Sequence, residues 1–143
     1  MKFLLLLILV SCQGVPPQHL GVKNNQFQPC PDKPNCVSSF SKQGEKSYIE
    51  PIKIISNVER AKEKITKILQ KNKSVTIRKI ENNYIWAEYE SAIFRFVDDM
   101  EFLISEKDAL IHLKSASRKG YSDLGKNKEH IEEIRFKFYQ NDF

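Results

Sequence analysis

Apolar and polar residues alternate with period two over five stretches of the chain and with a period near 3.6 over two others, the patterns of strands and helices respectively. The first expected strand is 47–55, where Tyr48, Ile49, Ile52, Ile54 and Ile55 supply aromatic and β-branched side chains; Pro51 directs it to an edge or a bulge. Ser56 with Glu59 fits a capping box that opens a helix, in which Val58, Ala61, Ile65, Ile68 and Leu69 share one stripe and Lys62, Lys64, Lys67 and Lys71 face outward. Two strands follow at 75–81 and 84–90, joined by Asn82-Asn83, a pair that tolerates positive φ. In the second, Ile85, Ala87 and Tyr89 are the expected core side, and Trp86 lies opposite with Tyr84, Glu88 and Glu90. A strand at 109–116 and a final helix, capped by Asn127 with Ile131, Ile134 and Phe138 inward, complete the order β-α-β-β-β-β-α. The pattern therefore predicts an α+β domain at 30–143: a largely antiparallel sheet of about five strands with two helices on one face.

One expected strand, 94–104, carries acid where alternation asks for apolar residues. Phe94, Phe96, Met100, Phe102 and Ile104 fall on one face with Asp98 among them, while Asp99 and Glu101 fall on the other. A carboxylate on an apolar face requires a cation, a proton or a bulge, because burying an unpaired charge costs several kcal/mol or more. The strand 109–116 is expected to pair back onto this one, bringing Arg118 close to the acids, and an arginine fork can satisfy a carboxylate with two parallel hydrogen bonds. His112 on that strand reads as a hydrogen-bonded structural residue.

Composition changes the picture mainly at the N-terminus. Lys2 followed by an unbroken apolar run from Phe3 to Val10 is too short to span a bilayer and suits an export signal. Leu9-Val10-Ser11-Cys12 resembles the lipobox of bacterial lipoproteins. That resemblance implies a signal peptide at 1–11, an acylated Cys12 as the first mature residue, and anchoring by two or three acyl chains in the cell envelope. Gln13 after the cysteine implies the outer membrane, facing the periplasm, in a cell with two membranes. Residues 12–29, rich in Gln, Asn, Gly and Pro, are expected to be a flexible tether.

With Cys12 acylated, Cys30 and Cys36 remain as an even pair in an oxidising compartment, for which a disulfide is the natural reading. A soft-metal thiolate site is the alternative, and it would require a distant His112 or His130 to fold in. The chain of 143 residues, 41% apolar and 29% charged, suits one globular domain. Its formal charge of +5, lowered by one if Lys2 leaves with the leader, is spread among acids along the chain and excludes a nucleic-acid partner.

Three motifs in order resemble the bacterial and plastid family catalogued as domain of unknown function 1499. They are Cys30-Pro31-Asp32-Lys33-Pro34-Asn35-Cys36-Val37-Ser38-Ser39, then Phe94-Arg95-Phe96-Val97-Asp98-Asp99-Met100-Glu101-Phe102, and then 115–125, Ser-Ala-Ser-Arg-Lys-Gly-Tyr-Ser-Asp-Leu-Gly, with Asn127 after it. The family implies no activity. These motifs gather the candidate polar site: Arg95, Asp98, Asp99 and Glu101 on one stretch, Arg118, Tyr121, Ser122, Asp123 and Asn127 on the other. Read blandly, they form a network that fixes the glycine loop. Read as a binding module, Arg118 and the loop amides hold a small ligand or an envelope protein, without a cofactor, metal or catalytic residue. The alternative is an envelope hydrolase using Asp98, Asp99 or Glu101 as acid and base. No Ser-His-Asp order or phosphate-binding glycine loop is present to support it.

Overall fold

The computed structural model describes residues 15–18 and 20–140. The leader and Cys12 lie outside the described residues. Among the described residues eight strands and two helices follow one another as β1 (Val22–Lys23), β2 (Gln26–Phe27), β3 (Cys36–Ser38), β4 (Ile52–Lys53), α1 (Val58–Lys71), β5 (Val75–Glu81), β6 (Tyr84–Glu90), β7 (Val97–Ser105), β8 (Leu110–Ser117) and α2 (Lys126–Tyr139). The main sheet has six strands in the order β3-β8-β7-β6-β5, and β4 pairs with β8 beside β3. All its strand pairs are antiparallel, so the α+β class and the order from β4 onward are as the alternation predicts.

Helix α1 forms because its apolar residues recur on one stripe, and Ala61, Ile65, Ile68 and Leu69 are buried along it. Its N-cap is Asn57, one residue later than the capping box predicts. The Asn57 carboxamide oxygen accepts from the Arg60 amide at 2.8 Å, whereas the Ser56 hydroxyl turns to the Asn57 carbonyl. In α2, Ile131, Ile134 and Phe138 are buried as the spacing requires. Its N-cap is Gly125 in the left-handed region (φ 82°), and Asn127 lies within the first turn instead of capping it. Both helices pack on one face of the sheet, against Ile85, Ala87, Met100, Phe102, Ile104, Ile111 and Leu113.

Four further expectations are corrected. The 47–55 strand shrinks to Ile52–Lys53, because Pro51 has no amide hydrogen to add to a ladder. The acidic strand begins only at Val97: Phe94 and Phe96 are exposed on the turn before it, and Arg95 adopts a left-handed φ of 54°. The clasp continues into a strand, β3, that borders β8 and raises the sheet to six strands. The stretch assigned to a tether contains the β1–β2 hairpin, turned by Asn24 and Asn25, both at positive φ. Phe27 of that hairpin is buried on the sheet's outer face in a small cluster with Tyr84 and Leu103, against which Phe40 and Trp86 pack.

Candidate functional site

Adjacent residues of β7 point to opposite faces of the sheet, and the three acids divide accordingly. Asp98 joins Met100, Phe102 and Ile104 on the helix side. Asp99 and Glu101 join Leu103 on the outer side.

The outer side holds a row of charge. Arg118 grips Asp99 with two parallel bonds, Nε to Oδ2 at 2.8 Å and Nη2 to Oδ1 at 2.7 Å, and also reaches Glu88 on β6. Trp86 Nε1 donates to Asp99 Oδ1 at 2.9 Å, and Arg78 Nε donates to Glu88 Oε2 at 2.7 Å. Hydrogen bonding to Asp99 raises the Arg118 pKa further despite burial, so this guanidinium is permanently charged. Burial pushes Glu88 up, but its bonds to Arg118 and Arg78 outweigh that and hold it below the usual carboxylate range.

One register step along, Glu101 faces Lys114 directly across the β7–β8 ladder, with Oε2 and Nζ 3.2 Å apart and both side chains 1% exposed. Neither of these two atoms has a hydrogen bond of good geometry, so this contact is charge attraction in a dry site. Glu101 Oε1 is better served: the Tyr84 hydroxyl donates at 2.8 Å and the Gly21 amide at 2.6 Å. Burial, then the Glu101 charge, raises the Tyr84 pKa so far that the phenol stays protonated. The Gly21 bond fastens the N-terminal hairpin over this pair. Nearby, Phe40 stacks on His112 at 4.2 Å between centroids, and His112 Nδ1 lies 3.2 Å from the Ser39 hydroxyl, in keeping with a structural histidine.

The helix side holds a second network at the end of the sheet where β7 begins. Ser117 Oγ donates to Asp98 Oδ1 at 2.5 Å, and His130 Nδ1 of α2 lies 3.5 Å from Asp98 Oδ2. Burial raises the Asp98 pKa and lowers that of His130, each favouring the neutral form; their mutual attraction opposes both shifts. The pairing of Asp98 with Arg118 expected from the acidic strand does not occur. Its partners are Ser117 and His130, and Arg118 belongs to Asp99.

Asn127, fully buried, joins the elements around this point. Its Nδ2 donates to the Asn35 carbonyl at 3.1 Å, to Ser117 Oγ at 2.9 Å and to Asp123 Oδ2 at 2.7 Å, and its Oδ1 accepts from Ser115. Asn35 returns the link through Nδ2 to the Gly120 carbonyl at 3.2 Å. Asp123 also accepts from the Gly125 and Asn127 amides, and these bonds outweigh burial to hold its carboxyl below the usual range. Clasp, β8, glycine loop and α2 are thereby fixed to one another. Cys30 and Cys36 form a disulfide that closes the clasp. Among the described residues no group of three or more His, Cys, Asp or Glu could hold a metal ion.

Beside this network, the clasp and the glycine loop, joined by the Asp123 amide donating to the Pro34 carbonyl at 3.3 Å, together line an open groove of about 530 Å³. Pro31, Asp32, Lys33 and Pro34 of the clasp and Tyr121, Ser122 and Asp123 of the loop line it, together with Lys46 and Lys128. Tyr121 is 71% exposed. Ser122 accepts from the Leu124 amide at 3.2 Å, an ordinary loop turn.

The candidate residues therefore divide into separate places. Asp99, Glu101 and Arg118 belong to the outer charge row, Asp98 and Asn127 to the helix-side network. Asp123 links that network to the groove, which Tyr121 and Ser122 line. Arg95 stands apart on the exposed turn, paired with Glu90 at 2.9 Å. Trp86, Glu88, Lys114, His130 and Asn35 complete these networks and were not among the candidate site residues, although Asn35 lies within the clasp motif. A lysine at position 114, on the same alternate face as His112 and opposite the acids, is the signal that would have found the most buried of them.

This geometry leaves little for acid and base chemistry. Asp99 and Glu101 are 1% and 0% exposed and bound by cations. The Ser117, Asp98 and His130 series puts the carboxylate between hydroxyl and imidazole, so the imidazole cannot take the serine proton. A family profile matches residues 26–138, and over that span, most of the chain, the protein belongs to the family described as protein of unknown function (DUF1499). No curated protein matches the chain.

Proposed function

We propose that this protein is a non-catalytic binding module of the cell envelope, anchored by lipid on Cys12, that holds a small anionic ligand in the groove between clasp and glycine loop. The observation that carries the reading is a groove whose walls are already fixed. Asn127 and Asn35 bind the loop to the clasp from behind, so little ordering is left for a ligand to supply. Its charge suits an anion: Lys33, Lys46 and Lys128 line it against Asp32 and Asp123, and Asp123 is already committed to three hydrogen bonds from Gly125 and Asn127. The exposed Tyr121 ring offers an apolar surface beside them.

The disulfide supports an oxidising compartment, since such bonds persist outside the cytosol. The lipobox-like Leu9-Val10-Ser11-Cys12 supports anchoring, and Gln13 the outer membrane where there is one. Cys12→Ser should abolish metabolic labelling of the protein with palmitate; a variant that is still labelled, or a parent chain that is not, defeats the anchor. For the groove, amide NMR during titration with a panel of small carboxylates and phosphate esters should shift Tyr121, Ser122 and Gly125 first, and Lys46→Glu with Lys128→Glu should abolish the shifts. If no member of the panel moves these amides, the groove does not bind this class and the reading fails.

A further inference from the structure

The turn between β6 and β7 is an apolar tip that the core does not use. Ile93 is 83% exposed, Phe94 68% and Phe96 49%, and the two phenylalanine rings stack at 5.7 Å between centroids. The tip is built, not frayed. The Ser91 amide donates to the Phe96 carbonyl at 2.9 Å, the Arg95 amide to the Ser91 carbonyl at 3.0 Å, and the Phe96 amide to Ser91 Oγ at 2.9 Å. Arg95 takes a left-handed φ of 54°, a conformation that a side chain with a Cβ adopts at a cost. Three hydrogen bonds and an unfavourable dihedral thus hold bulky apolar groups out in water.

What surrounds the tip is cationic. Glu90 N–H donates to the Ser74 carbonyl at 2.8 Å and Arg118 N–H to the Val97 carbonyl at 3.0 Å, so the loops carrying Lys73 and Lys119 flank the strands that the turn joins. Helix α1 ends beside the first of these loops at Lys71. Lys71 at the end of α1, and Lys73, Arg95 and Lys119 from three different connections, are all exposed at one end of the sheet. Glu90 and Arg95 there are paired with each other, so the net positive charge of this end comes from its lysines.

We propose that this end of the domain docks on an anionic phospholipid bilayer, with Ile93, Phe94 and Phe96 entering the interface and the surrounding cations meeting the headgroups. Aromatic side chains favour the headgroup boundary, and basic residues near an anionic surface add attraction that decays within a Debye length. A convex tip within a diffuse ring of charge suits a soft surface that closes around it. A protein partner would instead need a concave pocket matched to two stacked rings. This inference is independent of the groove, which uses other residues.

The test uses the full chain with Cys12→Ser, carrying an environment-sensitive fluorophore on a cysteine introduced by Ile93→Cys at the tip or by Lys107→Cys at the opposite end of the sheet. Vesicles containing phosphatidylglycerol should shift the emission at position 93 to the blue and raise it several-fold, whereas position 107 should stay in water. Phosphatidylcholine vesicles should have little effect, and Lys73→Glu with Lys119→Glu should remove the response in a chain that melts normally. The leader can hold the chain on vesicles by itself, so the readout is the label and not sedimentation. An aqueous spectrum at position 93 on phosphatidylglycerol, or equal responses at both positions, overturns the proposal. A blue shift at position 93 caused only by added envelope proteins overturns it too and assigns the tip to a protein.

Discussion

The two faces of the central sheet are built from alternate residues of the same strands, yet they cohere by different physics. Beneath the helices, Ile85, Met100, Phe102, Ile104, Ile111 and Leu113 exclude water and impose no pairing on one another. On the outer face, Glu88, Asp99, Glu101, Lys114 and Arg118 are buried by a two-strand hairpin and a few aromatics, and each charge is there only because its opposite is. The first face tolerates small changes of shape. The second fixes identity and register, because a one-residue slip of β8 would separate both ion pairs at once.

The contrast can be broken most sharply at Lys114. Replacing it with Met leaves Glu101 buried without its cation and should cost about 3–5 kcal/mol in urea unfolding, while adding Glu101→Met should recover most of that loss. A double variant as unstable as the single one would show that the pair is not what the outer face depends on. Reducing the Cys30–Cys36 disulfide comes next, at about 2 kcal/mol for so short a loop, read as a lower midpoint with dithiothreitol. On the helix side, Ile131→Val should cost only about 1 kcal/mol and leave the fold unchanged by amide NMR.

The smallest effect is a pH dependence, and it separates the faces. Burial lowers the pKa of His112 on the outer face and of His130 on the helix side below 6.5. A depressed histidine contributes stability that is complete above its unfolded pKa and is lost as pH falls through the folded one. Melting temperature should therefore fall as the solution is acidified from pH 7.5 through 6.5 and below. His130→Gln and His112→Gln should each flatten part of that slope. Asp98, raised by burial, works in the opposite sense: its contribution is present below its unfolded pKa and is lost as pH rises through the folded one, so Asp98→Asn should steepen the acid loss. An acid slope left unchanged by both His130→Gln and His112→Gln would mean that neither ring is held neutral.

The long elements were legible because packing beneath the helices stamps its period on the chain; the stripes of α1 and α2, Ile85 and Ala87 of β6, and Ile111 and Leu113 of β8 all follow it. The acidic strand was legible in chemistry and misplaced at its start, since Phe94 and Phe96 keep the alternation of a strand while sitting on a turn. Parity already held the partner of Arg118: Lys114, Ala116 and Arg118 share a face with Asp99, not with Asp98. The β1–β2 hairpin was missed because strands of two residues carry no period, although Asn24-Asn25 repeats the Asn-Asn pair that turns β5 into β6. The groove was invisible for a different reason. Its walls lie about 90 residues apart in sequence, and the bonds that hold them pass through Asn35 and Asn127, residue types that sequence alone reads as turn and cap.

The single bond from the Gly21 amide to Glu101 also decides how the molecule answers tension. Among the described residues Gly21 is the first bonded to the main sheet, so tension that arrives along the chain from its N-terminal side meets this contact and the two residue pairs of the β1–β2 ladder before the strands of that sheet. Antiparallel pairs pulled from one end open in sequence, like a zip, and resist far less than a sheet sheared along its strands. The hairpin is the weak first link of the load path. Once it peels away, water reaches Glu101 and Lys114, and a buried ion pair becomes an exposed one that salt can screen.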